Sequence, residues 1–106
     1  MTKELLQVIS EFKSDMAALY GDKLYRIELF GSHARGDAGD DSDVDILVVL
    51  KGPVRPYDEI EKTGEIVSRI SLKYDCVISC VFMDVERFIT RNGPLLRNIR
   101  REGVAV

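Results

Sequence analysis

The chain is poor in the residues that cross-link or metallate small proteins, with two cysteines and one histidine among 106 residues. Cys76 and Cys80 fall in a segment that reads as a strand, where four residues separate Cα atoms by roughly 13 Å. A disulfide spans roughly 4.4–6.8 Å, so both are read as reduced core residues. With His33 alone in a distant loop and no CxxC spacing, the sequence offers no zinc set. Long hydrophobic runs are also missing. Ile46–Leu50 and Cys76–Met83, the latter broken by Ser79, are far too short to span a bilayer. Lys3 and Glu4 precede an amphipathic pattern, not the apolar centre of a signal peptide, and a cytoplasmic protein with no membrane association is expected. A surplus of positive charge is absent as well. The net charge of −3 argues against nucleic acid as a direct ligand, because such binders show a basic face.

Hydrophobic residues make up 45% of the chain, enough for a packed core in one domain over residues 1–106. The charge is unevenly spread. Asp37, Asp40, Asp41, Asp43 and Asp45 crowd into nine residues, while Arg87, Arg91, Arg97, Arg100 and Arg101 gather near the end. Clustered carboxylates repel one another unless a cation or solvent screens them. A solvated loop accounts for Asp37, Asp40 and Asp41, but not for Asp45, which sits inside an apolar run. The arginines either solubilise a short amphipathic helix, the preferred reading, or meet an acidic partner.

Leu5, Ile9, Phe12, Met16 and Leu19 recur at helical spacing, predicting a helix over 3–20 with Thr2 as N-cap and Gly21 as its stop. Leu24–Phe30 alternates apolar and polar residues and reads as a strand. A polar connection over 32–41, with a helical turn around Ala34, leads to Val44–Leu50, a β-branched run of the kind buried on both faces. Asp58 with Glu61 forms a capping-box pattern for a helix over 58–72. Cys76–Met83 is the third strand. Asp84 caps a short helix through Arg91, stopped by Asn92-Gly93, and Pro94 opens a last helix that Gly103 ends. The expected fold is α/β (α+β), a mixed sheet of about three strands backed by helices.

The chemistry concentrates in Gly31–Val49. Gly31 follows a strand, and a glycine there lets backbone N–H groups approach a ligand with no Cβ in the way. Ser32 adds a hydroxyl, and a helix starting near Ala34 would favour an anion. Arg35 either clamps a phosphate oxygen or is an ordinary surface charge, and His33 is a surface histidine or a phosphate contact. Asp43 and Asp45, two apart in a strand, project to one face with Cα atoms about 7 Å apart. Such a pair is unfavourable without a cation, and magnesium suits it because it takes one or two carboxylates and completes its shell with water and phosphate. The plainer alternative makes Asp43 a turn cap and Asp45 an exposed strand end. No Lys-Ser/Thr follows the glycines and no GxGxxG is present, so neither a Walker loop nor a dinucleotide fingerprint applies.

The combination G-S-x-A-R-G-(x)6-D-x-D, placed between two strands, resembles the signature of the minimal nucleotidyltransferases of the DNA polymerase β-like superfamily. The leading helix, the strand–GS–strand core and the closing Leu-Arg-Asn-Ile-Arg-Arg-Glu-Gly segment extend the resemblance over nearly the whole chain. It implies Gly31 and Ser32 on the triphosphate, Asp43 and Asp45 as Mg2+ ligands, and ATP or another NTP as substrate. It also implies an antitoxin paired with a HEPN-domain toxin, since small family members often are one and some transfer AMP to a toxin tyrosine. The family usually adds a third acid from the third strand. Here Val77 occupies that register, and Asp75 would serve as the third catalytic acid if the register shifted. Without one, a nucleotide-binding antitoxin acting by occlusion is the alternative.

Overall fold

The computed structural model describes residues 2–39 and 41–106; Asp40, read from the sequence as part of the solvated acidic stretch, lies outside them. Helix α1 (Lys3–Tyr20) starts where the Thr2 side chain accepts a hydrogen bond from the Leu5 N–H and stops at Gly21. A 3-10 turn leads into strand β1 (Leu24–Phe30), then a four-residue helix α2 (Ser32–Arg35) and strand β2 (Val44–Leu50). Helix α3 (Pro56–Tyr74) crosses to strand β3 (Ile78–Asp84). Helices α4 (Val85–Thr90) and α5 (Pro94–Glu102) follow, and a two-residue strand β4 (Val104–Ala105) closes the chain.

The sheet order is β3-β2-β1-β4, with β1 antiparallel to β2 and β4, and β2 parallel to β3. This is the expected mixed sheet with a fourth strand added. β4 escapes sequence reading because its two residues have no period of their own and are strand only by pairing with Glu28 and Leu29. Two boundaries also differ. α3 begins at Pro56, whose fixed φ and missing N–H suit a first helical position, so Asp58 lies in the first turn and does not cap it. β3 begins at Ile78, because α3 runs on to Tyr74 and leaves the next residues to make the turn.

β2 is central and covered on both faces. Val44, Ile46, Val48 and Leu50 pack in the larger core with residues of α1 and with Ile70 of α3. Leu47 and Val49 face the other way, against Leu96 and Ile99 of α5 and Phe88 of α4. The second cover is partial. Leu47 and Val49 are fully buried, while Asp45 is half-buried and Asp43 exposed. One end of this face therefore stays open, and alternation along β2 puts both aspartates there. Cys76 and Cys80 are free thiols. Among the described residues, no helix is long and apolar enough to cross a membrane.

Candidate active site

The open end of the face is built on one strand pair. In the β1–β2 register Phe30 stands opposite Asp45, so Gly31, the next residue, passes directly over the Asp45 carboxylate. A Cβ on Gly31 would overlap Asp45 Oδ2. The backbone at Gly31 has φ 76° and ψ −157°, a region open essentially to glycine alone. Two constraints thus converge on this residue: a conformation that needs glycine, and a carboxylate in the space a side chain would take.

From Gly31 the chain turns into α2. The Gly31 carbonyl accepts the N–H groups of Ala34 and Arg35, both at 3.1 Å. The N–H groups of Ser32 and His33, at the start of the turn, have no intrahelical acceptor by geometry. The Arg35 Nε donates to Asp37 Oδ2 at 3.2 Å, and its other arm donates to Glu102 Oε1 at 3.1 Å. This second bond ties α2 to the end of α5. Both partners hold the Arg35 guanidinium above its usual pKa, the Asp37 hydrogen bond most strongly. His33 Nε2 lies 3.2 Å from the Ser42 carbonyl oxygen and closes the connecting loop.

The carboxyl of Asp45 is pushed above the ordinary aspartate range, first by burial and second by the neighbouring Asp43, while His33 and Arg35 pull it down. The pair is therefore electrostatically unfavourable inside the chain. Two carboxylates with hard oxygen donors on one open face are the donor set a magnesium-type cation takes, and such an ion would remove this repulsion. By that observation the residues present fit a divalent metal.

The structure brings Gly31, Ser32, Arg35, Asp43 and Asp45 to one end of the sheet. It does not bring Asp75 to the pair. Asp75 is the C-cap of α3 at φ 51° and lines a cavity of about 540 Å³ with His33, Ser42, Val44 and Tyr74, which neither Asp43 nor Asp45 lines. Among the described residues, no group of three or more His, Cys, Asp or Glu side chains could hold a metal ion. The β3 residue facing Asp43 is Val77: the Val44 N–H donates to the Val77 carbonyl at 2.8 Å, one step before the Val44–Ile78 pair. Val77 is 61% exposed.

Two buried carboxylates escaped the sequence reading. Glu28 pairs with Arg26 on the α5 side of the sheet, and Glu59 accepts from the Tyr20 hydroxyl at 2.9 Å. Glu59 lies beyond the far end of β2 from the aspartates, beside Leu50 and Lys51. Each sits in a stretch that sequence reads as ordinary amphipathic surface.

Residues 9–106 match the family described as nucleotidyltransferase domain. The chain is similar to "Putative protein adenylyltransferase MJ0141" of Methanocaldococcus jannaschii, with 47% identity over 76 residues, 72% of this chain and 76% of that protein. It is also similar to "Putative protein adenylyltransferase MJ0604" of the same organism, with 34% identity over 98 residues, 92% of each. The fold is shared with a toxin–antitoxin solved with AMP-PNP, at a TM-score of 0.65 and 20% identity over 98% of this chain and 72% of that one. It is shared too with a chain in the complex of a tri-AMPylated Shewanella oneidensis HEPN toxin and its MNT antitoxin, at a TM-score of 0.54 and 17% identity, covering 92% and 70%. The chain belongs to the nucleotidyltransferase-domain family and is a nucleotidyltransferase.

Proposed function

We propose that the protein is a magnesium-dependent adenylyltransferase that moves AMP from ATP to a hydroxyl of a partner protein. The observation that carries this reading is the Gly31 backbone lying over the Asp45 carboxylate, with the Gly31–Ser32 turn beside a same-face carboxylate pair. Gly31, Ser32 and the N–H groups at the start of α2, which have no intrahelical acceptor, hold the outer phosphates. Asp43 and Asp45 hold the cation, which when bound polarises the α-phosphate and offsets charge on the leaving pyrophosphate. Arg35, fixed by Asp37 and Glu102 at the mouth, steadies the triphosphate from the α5 side.

The antitoxin–toxin neighbours, one with AMP-PNP and one with an AMPylated HEPN toxin, support ATP as donor and a HEPN-type toxin as acceptor. The two free thiols suit a reducing cytoplasm. The test supplies ATP labelled at the α- or the γ-phosphate, with magnesium and the co-purified partner. Label is expected on the partner from α-labelled ATP only. Label from the γ-position would make the protein a kinase and end the proposal.

Arg35→Ala gives a separate check on the phosphate reading. Both of its ion pairs lie at the surface, where such pairs contribute little. The variant is expected to keep the wild-type melting temperature and to raise the KM for ATP several-fold with little change in kcat. Steady-state kinetics over an ATP series decides this, and an unchanged KM would make Arg35 a structural tie only.

A further inference from the structure

β3 is an edge strand, and the direction of its free backbone groups follows from the ladder. The Val44 N–H donates to the Val77 carbonyl, and the parallel register then runs without a break to Leu50 and Asp84. In such a ladder alternate residues turn both backbone groups to the same side. Val77, Ser79, Val81 and Met83 therefore face β2, while Ile78, Cys80 and Phe82 point their N–H and C=O groups outward. Among the described residues, none of these outward groups has a backbone partner. Edge strands are ordinarily blunted by shortness, by Lys or Pro, or by a bulge. β4, the other edge, has two residues. β3 has seven, reads Ile-Ser-Cys-Val-Phe-Met-Asp, and carries none of these devices. The helix face above it is bare of charge. α1 lies over β1 and α3 over β3, so the side of α3 turned away from α1 overhangs the edge. Arg69 and Lys73 mark the α1 side by their bonds to Asp15 and Glu11, and Glu59, Thr63 and Ile70 mark the buried side. Helical spacing gives the overhanging side Tyr57, Ile60, Gly64, Val67 and Ser71. Tyr57 is 72% and Ile60 53% exposed. A Cβ on Gly64 would meet nothing within 4 Å, so no packing within the chain calls for a glycine that weakens the helix.

We propose that β3 and this side of α3 pair with the same elements of a second copy of the chain, across a two-fold axis at Val81, joining the two sheets into one. The occupant is a second copy because the edge is complementary to itself. Antiparallel pairing about Val81 makes the outward groups of Cys80 and Phe82 partners of each other. It also sets a small side chain against a large one on the helix-covered face. On the other face Val81 meets its own copy, a β-branched pair. Ile78 of each copy meets Asp84 of the other, so no like charges stand opposite one another. The same axis brings the two α3 helices side by side and antiparallel, with Gly64 admitting their close approach.

The test measures the oligomeric state of the full chain by sedimentation equilibrium, with folding followed by circular dichroism. Wild type is expected to dimerise with a micromolar dissociation constant. Gly64→Arg starts its side chain in open space and replaces a poor helix former. It is expected to fold at least as stably as wild type when dilute, and to weaken dimerisation about tenfold or more. Val81→Lys and Val81→Glu are each expected to weaken it by about tenfold or more, because like charges meet on the axis. An equimolar mixture of the two is expected to restore the dimer, which a folding defect would not allow. Val81→Cys, combined with Cys76→Ser and Cys80→Ser, is expected to form an intermolecular disulfide on oxidation, since facing residues of a non-hydrogen-bonded pair lie within disulfide reach. A wild type still monomeric at about 0.1 mM, a dimer that Gly64→Arg and Val81→Lys leave intact, or charge variants that stay apart when mixed would overturn the proposal. A wild-type monomer whose complex with a co-purified protein is lost in Gly64→Arg would assign the surface to that protein and overturn self-pairing as well.

Discussion

Gly31→Ala is expected to cut nucleotidyl transfer by about 10²-fold and to lower stability by about 1–3 kcal/mol. The stability loss follows from the backbone: at φ 76° and ψ −157° a side chain is strained by roughly that amount. The activity loss has a second origin. The new Cβ would fall on Asp45 Oδ2, so either the carboxylate swings off the open face or the turn lifts away from it. A displacement of about 1 Å at a reacting centre can cost about 10²-fold. Thermal melts alongside labelling from α-labelled ATP separate the two effects. A variant that melts early yet transfers at the wild-type rate would show that the Gly31–Asp45 contact is structural and does not position the carboxylate.

Converting both Asp43 and Asp45 to Asn is expected to reduce transfer by about 10³-fold or more, since loss of a metal's charge stabilisation removes several kcal/mol from the transition state. The fold should not suffer. Asp45 titrates above its ordinary value because of burial and Asp43. A carboxyl raised in the folded chain carries a cost that is fully present above its folded pKa and fades as pH falls toward the unfolded value. Asp45→Asn removes that cost. Its melting temperature, without magnesium, is expected to exceed wild type at neutral pH, and the gain should shrink as pH falls through the carboxylate range. A lower melting temperature at neutral pH would mean that the charge of Asp45 is compensated within the chain. If the double variant neutralised a toxin partner as well as wild type does, occlusion and not transfer would be the antitoxin activity.

Much of this was legible in the sequence, for reasons specific to each segment. The stripe from Leu5 to Met16 has one solution, a helix with that face buried, and Thr2 and Gly21 bound it by their own chemistry. Val44–Leu50, short, rich in β-branched residues and bounded by turn residues, reads as a buried strand. The shared face of Asp43 and Asp45 was legible because β-alternation fixes the side of a residue without reference to the rest of the fold. Asp75 depended on something less local. Whether it enters β3 or ends α3 is decided by where a 19-residue helix runs out, and helical periodicity through Ile70 and Tyr74 does not mark that point. β4 was illegible for a related reason, since a two-residue strand exists only through its partner.

The pairing of Phe30 with Asp45 bears on which changes of length the chain can absorb. Extra residues between 36 and 42 would enlarge a surface loop and leave the ladder untouched. One residue added inside β2 ahead of Asp45 would shift the pairing by a single step, and in a strand that exchanges the two faces. The insertion would also set the two aspartates three residues apart, on opposite faces of the strand, and the carboxylate pair would be broken. Chains built on this plan are therefore free to differ in loop length but held to strict parity within the hairpin.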